Sequence, residues 1–327
     1  MSLPERLGRL QRVDRLGVGG FATVWLYHDA ELRSDVAVKA LADNWAQRLD
    51  VRERFLEEAR ILRRADSDHI VRVYDVGEAD GTPYFVMTYA DLGSLAALLE
   101  PEEPLPHGQV MDLVAQAGAG LSVLHEHGVV HRDIKPQNLL LRSGGSAGDR
   151  LLVADLGVAK AMLHASGLTQ VVGTPSYMAP EQATGGGIDR RADVHALGAV
   201  AYQMLTGRLA RDVSIGELAH ASLPAAPSSF VDVSSAVDDV LLRALQPDPE
   251  HRWKDVDSFV AALRAALPSA PVPAPTTLTH WETPETVGTL TQSHAEPRRP
   301  LVPLLMLCLL VFAAMFGAGY AITTILR

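Results

Sequence analysis

The feature that most limits what this chain can fold into is a double change of composition along its 327 residues. Residues up to about 267 alternate short apolar runs with amphipathic stretches, which is typical of a globular domain. From 268 to 300 the chain is rich in Pro, Thr, Ser and Ala. Such a segment cannot bury enough apolar surface to offset its ordering entropy, so we expect a flexible juxtamembrane linker.

The segment 301–326 contains no Asp, Glu, Lys, Arg or His. At about 1.5 Å per residue a helix of that length exceeds a hydrocarbon core of roughly 30 Å, which predicts one transmembrane helix. Arg298 and Arg299 precede the segment and Arg327 follows it, and no basic-then-apolar signal peptide opens the chain. We therefore expect a single-pass protein of the cytoplasmic membrane, its globular domain in the cytoplasm and its C-terminus outside.

Small side chains recur within that segment at Ala313, Gly317 and Ala321. This spacing suits close pairing of two helices in a homodimer, and it is equally ordinary for a membrane helix.

The composition of the whole chain excludes some partners and sites. A net charge of −10 argues against nucleic acid as a partner. The single cysteine, Cys308, excludes an intrachain disulfide and a cysteine-based zinc site.

Patterning within the globular region changes from strand to helix. Short apolar runs at 36–38 and 84–87 predict strands. The spacing of apolar residues over 50–65 predicts an amphipathic helix, which contains Glu58. After Leu95 helices dominate, most clearly at 110–125, 192–206 and 237–245. We therefore expect a β-rich small lobe followed by a mostly helical large lobe.

The run from His131 to Asn138, HRDIKPQN, places a carboxylate, a cation and an amide within a few residues. This spacing suits phosphoryl transfer: Asp133 can orient a hydroxyl and accept its proton, Lys135 can neutralise phosphoryl charge, and Asn138 can hold Mg²⁺. Upstream, the stretch 16–24 is a glycine-rich turn whose backbone can approach phosphate oxygens. Lys39 ends the apolar strand 36–38, where an ammonium needs anions, and Glu58 is the partner we expect.

These motifs, together with Asp155-Leu156-Gly157 and Ala179-Pro180-Glu181, resemble a bacterial eukaryotic-like Ser/Thr protein kinase domain over residues 10–267. The resemblance implies an α+β, bilobal protein-kinase-like fold, with a small lobe of about 10–90 and a large lobe of about 91–267. It also implies ATP with Mg²⁺, or with Mn²⁺ as the alternative ion, in the cleft between the lobes. The expected reaction is transfer of the γ-phosphoryl group to serine and threonine hydroxyls of protein substrates.

By this resemblance, Asp133 is the catalytic base, and Lys135 lies beside it. Lys39 contacts the α- and β-phosphates and pairs with Glu58. Asn138 and Asp155 are the magnesium ligands. The residues expected around ATP are Leu16, Gly17, Val18, Gly19, Gly20, Phe21, Ala22, Thr23, Val24, Ala37, Lys39, Met87, Thr88, Tyr89, Ala90 and Leu140.

The chain departs from the family's usual pattern at three positions. Ala22 replaces a third loop glycine, Thr88 a glutamate of the hinge, and Leu156 the phenylalanine that follows the metal-binding aspartate. The backbone donors, the hinge backbone and the metal ligand are all kept. We therefore expect the function to survive these departures.

Regulation is also implied by the resemblance. Arg132 would pair with a phosphorylated residue of the activation loop. Thr169 is the preferred acceptor of that phosphate and Ser166 the second. The alternative is that the loop is not phosphorylated. Thr174 would bond Asp133 and Lys135, an arrangement that favours Ser/Thr over Tyr as the acceptor.

Threonines of the linker would be autophosphorylation targets that recruit phosphothreonine-binding domains and a cognate phosphatase, or would simply reflect linker composition. Two structural roles complete the expectations: a buried Glu181–Arg252 ion pair, and Asp193 capping the backbone of the catalytic run. We read His195 as a packing residue.

Two other functions remain open from the sequence. A membrane-tethered pseudokinase, acting as a scaffold, would be favoured by losses at Lys39, Asp133 or Asp155, and none of these residues is lost. A small-molecule kinase of the same superfamily would lack the segment that ends in Ala179-Pro180-Glu181.

Overall fold

The computed structural model describes residues 3–145, 148–157, 175–218 and 222–267. The predicted linker 268–300, the apolar segment 301–326 and the activation-loop residues Ser166, Thr169 and Thr174 lie outside the described residues. None of the helices within the described ranges is both long enough and apolar enough to cross a bilayer.

The small lobe is built on an antiparallel sheet of order β1-β2-β3-β4-β6-β5. Its strands are β1 Arg6–Leu7, β2 Leu10–Val18, β3 Ala22–Asp29, β4 Ser34–Leu41, β5 Val73–Ala79 and β6 Thr82–Thr88. The central strand β4 is buried from Val36 to Leu41, so the apolar run there is almost uninterrupted. Both strands expected from the sequence are present.

Two helices follow β4 in the small lobe: α1 Asp43–Ala46 and α2 Leu49–Arg64. The short α1 had no signal in the apolar pattern. Helix α2 buries Val51, Phe55 and Leu62 along one face, with the spacing that one stripe of a helix requires. The Phe55 ring lies 5.0 Å from the Phe85 ring of β6, and this contact fixes the helix against the sheet.

The large lobe is mostly helical. Its helices are α3 His107–Glu126, α4 Pro180–Thr184, α5 Arg191–Thr206, α6 Ile215–Leu218, α7 Ser235–Ala244 and α8 Val256–Ala266. A hairpin of β7 Leu139–Arg142 and β8 Arg150–Val153 lies between α3 and α4 in the chain. The three helices expected at 110–125, 192–206 and 237–245 are confirmed within a few residues at each end.

Helix α5 forms the centre of the large lobe, because nearly all of its residues are buried. Close packing requires Gly198, where an added Cβ would lie 2.8 Å from the Cβ of Ala244 on α7. A buried helix explains why this segment is apolar on every side rather than on one stripe. The two lobes give the arrangement that the resemblance implies.

Candidate active site

The catalytic run is anchored from below by one buried carboxylate. Asp193, in the first turn of α5, accepts hydrogen bonds from the backbone N–H groups of His131 and Arg132, both at 2.8 Å. The Nε2 atom of His125 on α3 lies 2.8 Å from the same carboxylate. The capping role expected of Asp193 is therefore present, whereas the contribution of His125 carried no signal in the sequence.

These bonds hold a strained backbone. Arg132 has a φ of 66°, in the left-handed region that a residue with a Cβ rarely adopts. Such a conformation costs of order 1–3 kcal/mol and persists only where surrounding contacts enforce it. Asp193 supplies two of these contacts from the rigid core of the large lobe.

His131 supports the run from inside. It is fully buried, and burial lowers the pKa of its imidazole, so the ring is neutral, although Asp193 and Asp133 partly offset this effect. Its Nε2 lies 3.0 Å from the carbonyl oxygen of Ala154, and its Nδ1 lies 3.3 Å from the backbone nitrogen of Asp133. These contacts require the tautomer that carries its proton on Nε2.

Three of the side chains predicted to take part in phosphoryl transfer, Asp133, Lys135 and Asn138, converge at this run, and all three are largely buried. Asn138 Nδ2 donates to Asp133 Oδ2 at 2.9 Å and to the Asp133 carbonyl oxygen at 2.7 Å. Lys135 Nζ lies 3.3 Å from Asp133 Oδ2. The amide thus fixes the orientation of the carboxylate that we expect to act as base, and the ammonium lies beside it.

The hairpin of β7 and β8 returns the chain to the same place. The backbone N–H of Ala154 donates to the carbonyl oxygen of Asn138 at 2.9 Å, and that of Gly157 donates to His131 at 3.0 Å. Asp155 between them has a φ of 59°, a second residue in the left-handed region. This turn directs its carboxylate towards the small lobe.

Lys39 joins the two lobes. Its Nζ donates to Glu58 Oε1 at 2.7 Å and to Asp155 Oδ1 at 2.8 Å, contacts that span 19 and 116 residues of sequence. Burial alone would lower the pKa of this ammonium, but the carboxylates of Asp155 and Glu58 outweigh it and raise the pKa. The ion pair of Lys39 with Glu58 expected from the sequence is therefore present.

The glycine-rich stretch forms the hairpin turn between β2 and β3. The backbone N–H of Gly19 donates to the carbonyl oxygen of Ala22 at 2.8 Å, which closes the turn. Val18, before the turn, is exposed, while Ala22 is buried beneath it. The methyl group of Ala22 therefore packs into the lobe, and the turn keeps its glycines at Gly19 and Gly20.

The residues expected around adenine lie along β4, β6 and the segment after it. Met87 pairs with Ala37 across the sheet, and both are buried. Leu140 of β7 is bridged to Ser94 just beyond the hinge, and Val153 of β8 is bridged to Ile70 of the small lobe. The roles of these residues in binding ATP stay predictions.

The two remaining departures from the family pattern have structural explanations. The hydroxyl of Thr88 lies 3.2 Å from the backbone nitrogen of Arg72 and 3.2 Å from the hydroxyl of Tyr74, so it ties β6 to its neighbour. Leu156 is buried and belongs to the same apolar cluster as Leu62 of α2. An aliphatic side chain therefore fills this position.

Glu181 and Arg252 form the expected ion pair, with two bonds of 2.7 Å in a bidentate geometry. The side chain of Arg252 is 0% exposed and that of Glu181 is 10% exposed. His195 is fully buried, as expected of a packing residue, and its Nε2 also lies 2.6 Å from the Nη1 atom of Arg211, a buried cation.

The chemistry of the donors suits a hard divalent cation. Asn138 and Asp155 offer an amide and a carboxylate oxygen, which are the ligand types that Mg²⁺ prefers. In the parts of the chain that the structure describes, no group of three or more His, Cys, Asp and Glu side chains is placed to hold a metal.

Comparisons with known proteins agree with this geometry. Residues 10–261 match the family model described as protein kinase domain. The chain is 38% identical to the serine/threonine-protein kinase Pkn1 of Myxococcus xanthus over 271 residues, covering 80% of this chain and 39% of that protein. It is 36% identical to the serine/threonine-protein kinase PknB of Mycobacterium leprae over 292 residues, covering 85% of this chain and 46% of that protein.

The fold also matches solved structures. The crystal structure of the Mycobacterium tuberculosis PknI kinase domain aligns with a TM-score of 0.65 at 28% sequence identity, covering 81% of this chain and 99% of that chain. By contrast, the chain spans less than half the length of Pkn1 and of the M. leprae PknB.

Proposed function

Because this chain belongs to the protein kinase domain family, we propose that it is an ATP-dependent kinase that phosphorylates serine and threonine hydroxyls of proteins. The observation that carries the proposal is the position of Lys39. One ammonium bonds the carboxylates of Glu58 from α2 and Asp155 from the large lobe. Asp155 in turn lies on the segment that is bonded to the catalytic run.

Each residue then has a role in the reaction. Asp133 accepts the proton of the substrate hydroxyl, and its orientation is set by the amide of Asn138 at 2.9 Å. Lys135 and Lys39 place positive charge near the transferring phosphoryl group and near the α- and β-phosphates. Asn138 and Asp155 would hold Mg²⁺, which when bound neutralises charge on the phosphates.

A serine or threonine acceptor is supported by Lys135, two residues after Asp133, since the Ser/Thr branch of the family carries lysine there. The names of the relatives point the same way. The main alternative is a pseudokinase that binds partners without catalysis. Its support is limited to Ala22 and Leu156, and both of these fit the fold as buried aliphatic side chains.

The experiment is incubation of the full-length chain with γ-labelled ATP, Mg²⁺ and a generic protein acceptor. Two variants are assayed in parallel: Asp133→Asn, and the matched control Asp112→Asn at an exposed position of α3. We expect label on phosphoserine and phosphothreonine in the wild type and the control, and a loss of about 1000-fold or more in Asp133→Asn.

The outcomes separate the candidates. Absence of label on any protein would favour the pseudokinase. Transfer to small molecules with none to protein would favour the small-molecule kinase. Phosphotyrosine as the main product would contradict the proposed acceptor.

We also propose that the segment 301–326 anchors the kinase domain at the cytoplasmic face of the membrane, because no charged residue interrupts it. Deleting 301–326 should move the protein from the membrane fraction to the soluble fraction, whereas deleting 268–300 should not. Protease added to intact cells should leave the kinase domain uncut. A deletion variant that still pellets with membranes would contradict the anchor.

For regulation we propose autophosphorylation in trans at Thr169, with Ser166 as the second acceptor. The support is Arg132, whose side chain is exposed next to the catalytic base. Wild-type protein mixed with the inactive variant Lys39→Met should phosphorylate the variant at these positions. Mapping that finds neither residue modified in an active enzyme would refute it.

Recruitment of phosphothreonine-binding proteins by the linker is a further proposal, supported by the threonines between 276 and 291. A phosphothreonine-binding domain should bind phosphorylated protein and should be released by treatment with a phosphatase. Replacing the linker threonines with valine should abolish this binding and leave kinase activity intact. A homodimer formed through the small side chains of Ala313, Gly317 and Ala321 is also proposed. Gly317→Leu should prevent this close pairing of helices, and crosslinking in membranes measures the loss of the dimer.

A further inference from the structure

The turn expected to cover the phosphates is tied to a helix outside the cleft. Trp45 of α1 donates its Nε1 proton to the carbonyl oxygen of Gly20 at 2.9 Å. The Trp45 ring also lies 5.1 Å from the Phe21 ring, with the planes tilted by 39°. The backbone N–H of Ala42, just before α1, donates to the carbonyl oxygen of Phe21 at 2.8 Å.

We propose that Trp45 is a positioning residue for ATP, which holds the Gly19–Phe21 turn in order before the nucleotide arrives. The inference rests on the proposed function, in which that turn covers the phosphates. Trp45 acts through the turn and is not itself placed against the substrate.

The physical basis is the conformational entropy of the turn. Glycines lose more freedom on ordering than any other residue, so a glycine-rich turn pays a large cost if ATP alone must order it. Contacts that fix the turn in the free protein remove part of this cost from binding. A hydrogen bond and a ring pair of this kind are each worth about 0.7 kcal/mol, which is about threefold in a dissociation constant, so losing both is about tenfold.

Trp45 can hold the turn because its own side chain is held in place by other contacts. Its helix has only four residues and cannot be stable alone, but it is held in place by contacts with α2 and β6. The Trp45 side chain is partly buried against the main apolar core. Its outer face is covered by Arg48, whose guanidinium carbon lies 5.8 Å from the ring centroid. Gly20 itself is exposed, and an added Cβ there would meet no atom within 4 Å.

The test uses the full-length chain with Trp45→Ala, Trp45→Phe and the control Trp25→Phe. Trp25 lies on β3 and packs against an apolar cluster that includes Leu3, Tyr27 and Val38, whereas Trp45 packs against the main core. Trp45→Phe keeps a ring for Phe21 and removes the donor to Gly20. We measure the dissociation constant of a non-hydrolysable ATP analogue with Mg²⁺ by calorimetry, and separately KM for ATP and kcat.

We expect Trp45→Ala to weaken nucleotide binding and raise KM by about tenfold, with kcat changed less than about twofold. Trp45→Phe should weaken binding about threefold, and Trp25→Phe should leave it unchanged. A double mutant of Trp45→Ala with Phe21→Ala should be less than additive, since the two rings share one contact.

Several results would overturn the proposal: unchanged nucleotide affinity in Trp45→Ala, tighter binding, or a loss of kcat at constant KM. A fall in melting temperature with affinity unchanged would assign Trp45 a purely structural role and would equally overturn it. Calorimetry needs no catalysis. Failure of phosphoryl transfer in the wild type would therefore refute the proposed function without deciding the role of Trp45.

Discussion

Two buried cations in this molecule are held in different ways. Arg252 in the large lobe is 0% exposed and makes two bonds to Glu181 and three to backbone carbonyl oxygens, those of Gln246, Arg191 and Pro247. Lys39 in the cleft is 10% exposed and is held by the side chains of Glu58 and Asp155. The Asp155 side chain is itself 45% exposed.

The difference fits the role proposed for each cation. The guanidinium of Arg252 is planar and has donors for all five contacts, so its position is fixed and its charge is permanently satisfied. The ammonium of Lys39 is a compact point charge with side-chain partners, one of them hydrated, so phosphate oxygens can replace a carboxylate with little rearrangement. A fixed pair supports the fold, and an exchangeable one supports binding.

Breaking the fixed pair should give the largest effect on stability. In Glu181→Gln the charge of Arg252 stays buried without its carboxylate, so we expect the free energy of unfolding to fall by roughly 3–5 kcal/mol. Denaturant unfolding followed by circular dichroism measures it. A loss below about 1 kcal/mol would mean that water or the backbone carbonyls satisfy the charge.

Removing the exchangeable cation should mainly affect activity. Lys39→Met should lower the rate of phosphoryl transfer by about 100- to 1000-fold, because charge near the phosphates is lost. Its loss of stability should be smaller than that of Glu181→Gln, since the carboxylate of Asp155 stays exposed to water. Transfer rates and unfolding curves on the same preparations check both statements; a larger stability loss in Lys39→Met would reverse the comparison.

The pH dependence of stability sharpens the description of the large lobe. Burial, together with Arg252 and Arg211, holds the pKa of His195 well below its ordinary value of 6.5. Below about pH 6.5 this histidine therefore binds a proton in the unfolded chain but not in the folded chain. The free energy of unfolding falls as the pH falls through about 6.5. His131 acts in the same direction, since its pKa is also lowered by burial.

His195→Gln keeps an acceptor for Arg211 but cannot titrate. We therefore expect it to reduce the pH slope of the unfolding free energy between pH 7.5 and 5.5 by about half, out of a maximum of about 1.4 kcal/mol per pH unit for each histidine. An unchanged slope would show that His195 does not contribute to it.

The smallest effect is expected at Glu57, the neighbour of Glu58 on α2. Glu57 is paired with Arg60 and Arg64 at the surface, where its side chain is 41% exposed. Glu57→Gln should change stability by less than about 0.5 kcal/mol and leave transfer unaffected. Glu58→Gln should reduce transfer strongly, so the two variants together test whether position on the helix decides function.

Much of the fold and of the site could be predicted from local signals. Helices α2 and α3 could be predicted because their apolar residues recur at the helical period, and β4 and α5 because each is a nearly continuous apolar run. Lys39, Glu58, Glu181 and Arg252 could be paired because a buried charge needs a partner and their motifs are ordered along the chain. The ion pairs confirm both expectations.

Other contacts had no such signal. Helix α1 is four residues long, too short for a periodic pattern, so the bond from Trp45 to Gly20 was not foreseen. His195 was expected to be a packing residue and is buried, but its contact with Arg211, 16 residues away in sequence, was not foreseen. Neither residue type is unusual at its position, so only the approach of distant segments reveals the contact.

The sequence by itself determined which chemistry this chain carries, since the types and spacing of Lys39, Asp133, Asn138 and Asp155 are readable without coordinates. It also determined the order of the two lobes, because helix and strand periods are local properties. The tertiary structure decided how those groups are held: the left-handed backbone at Arg132 and Asp155, the neutral tautomer of His131, and the tie from Trp45 to the glycine turn. These depend on burial and on hydrogen bonds between segments far apart in the chain, which no local pattern encodes.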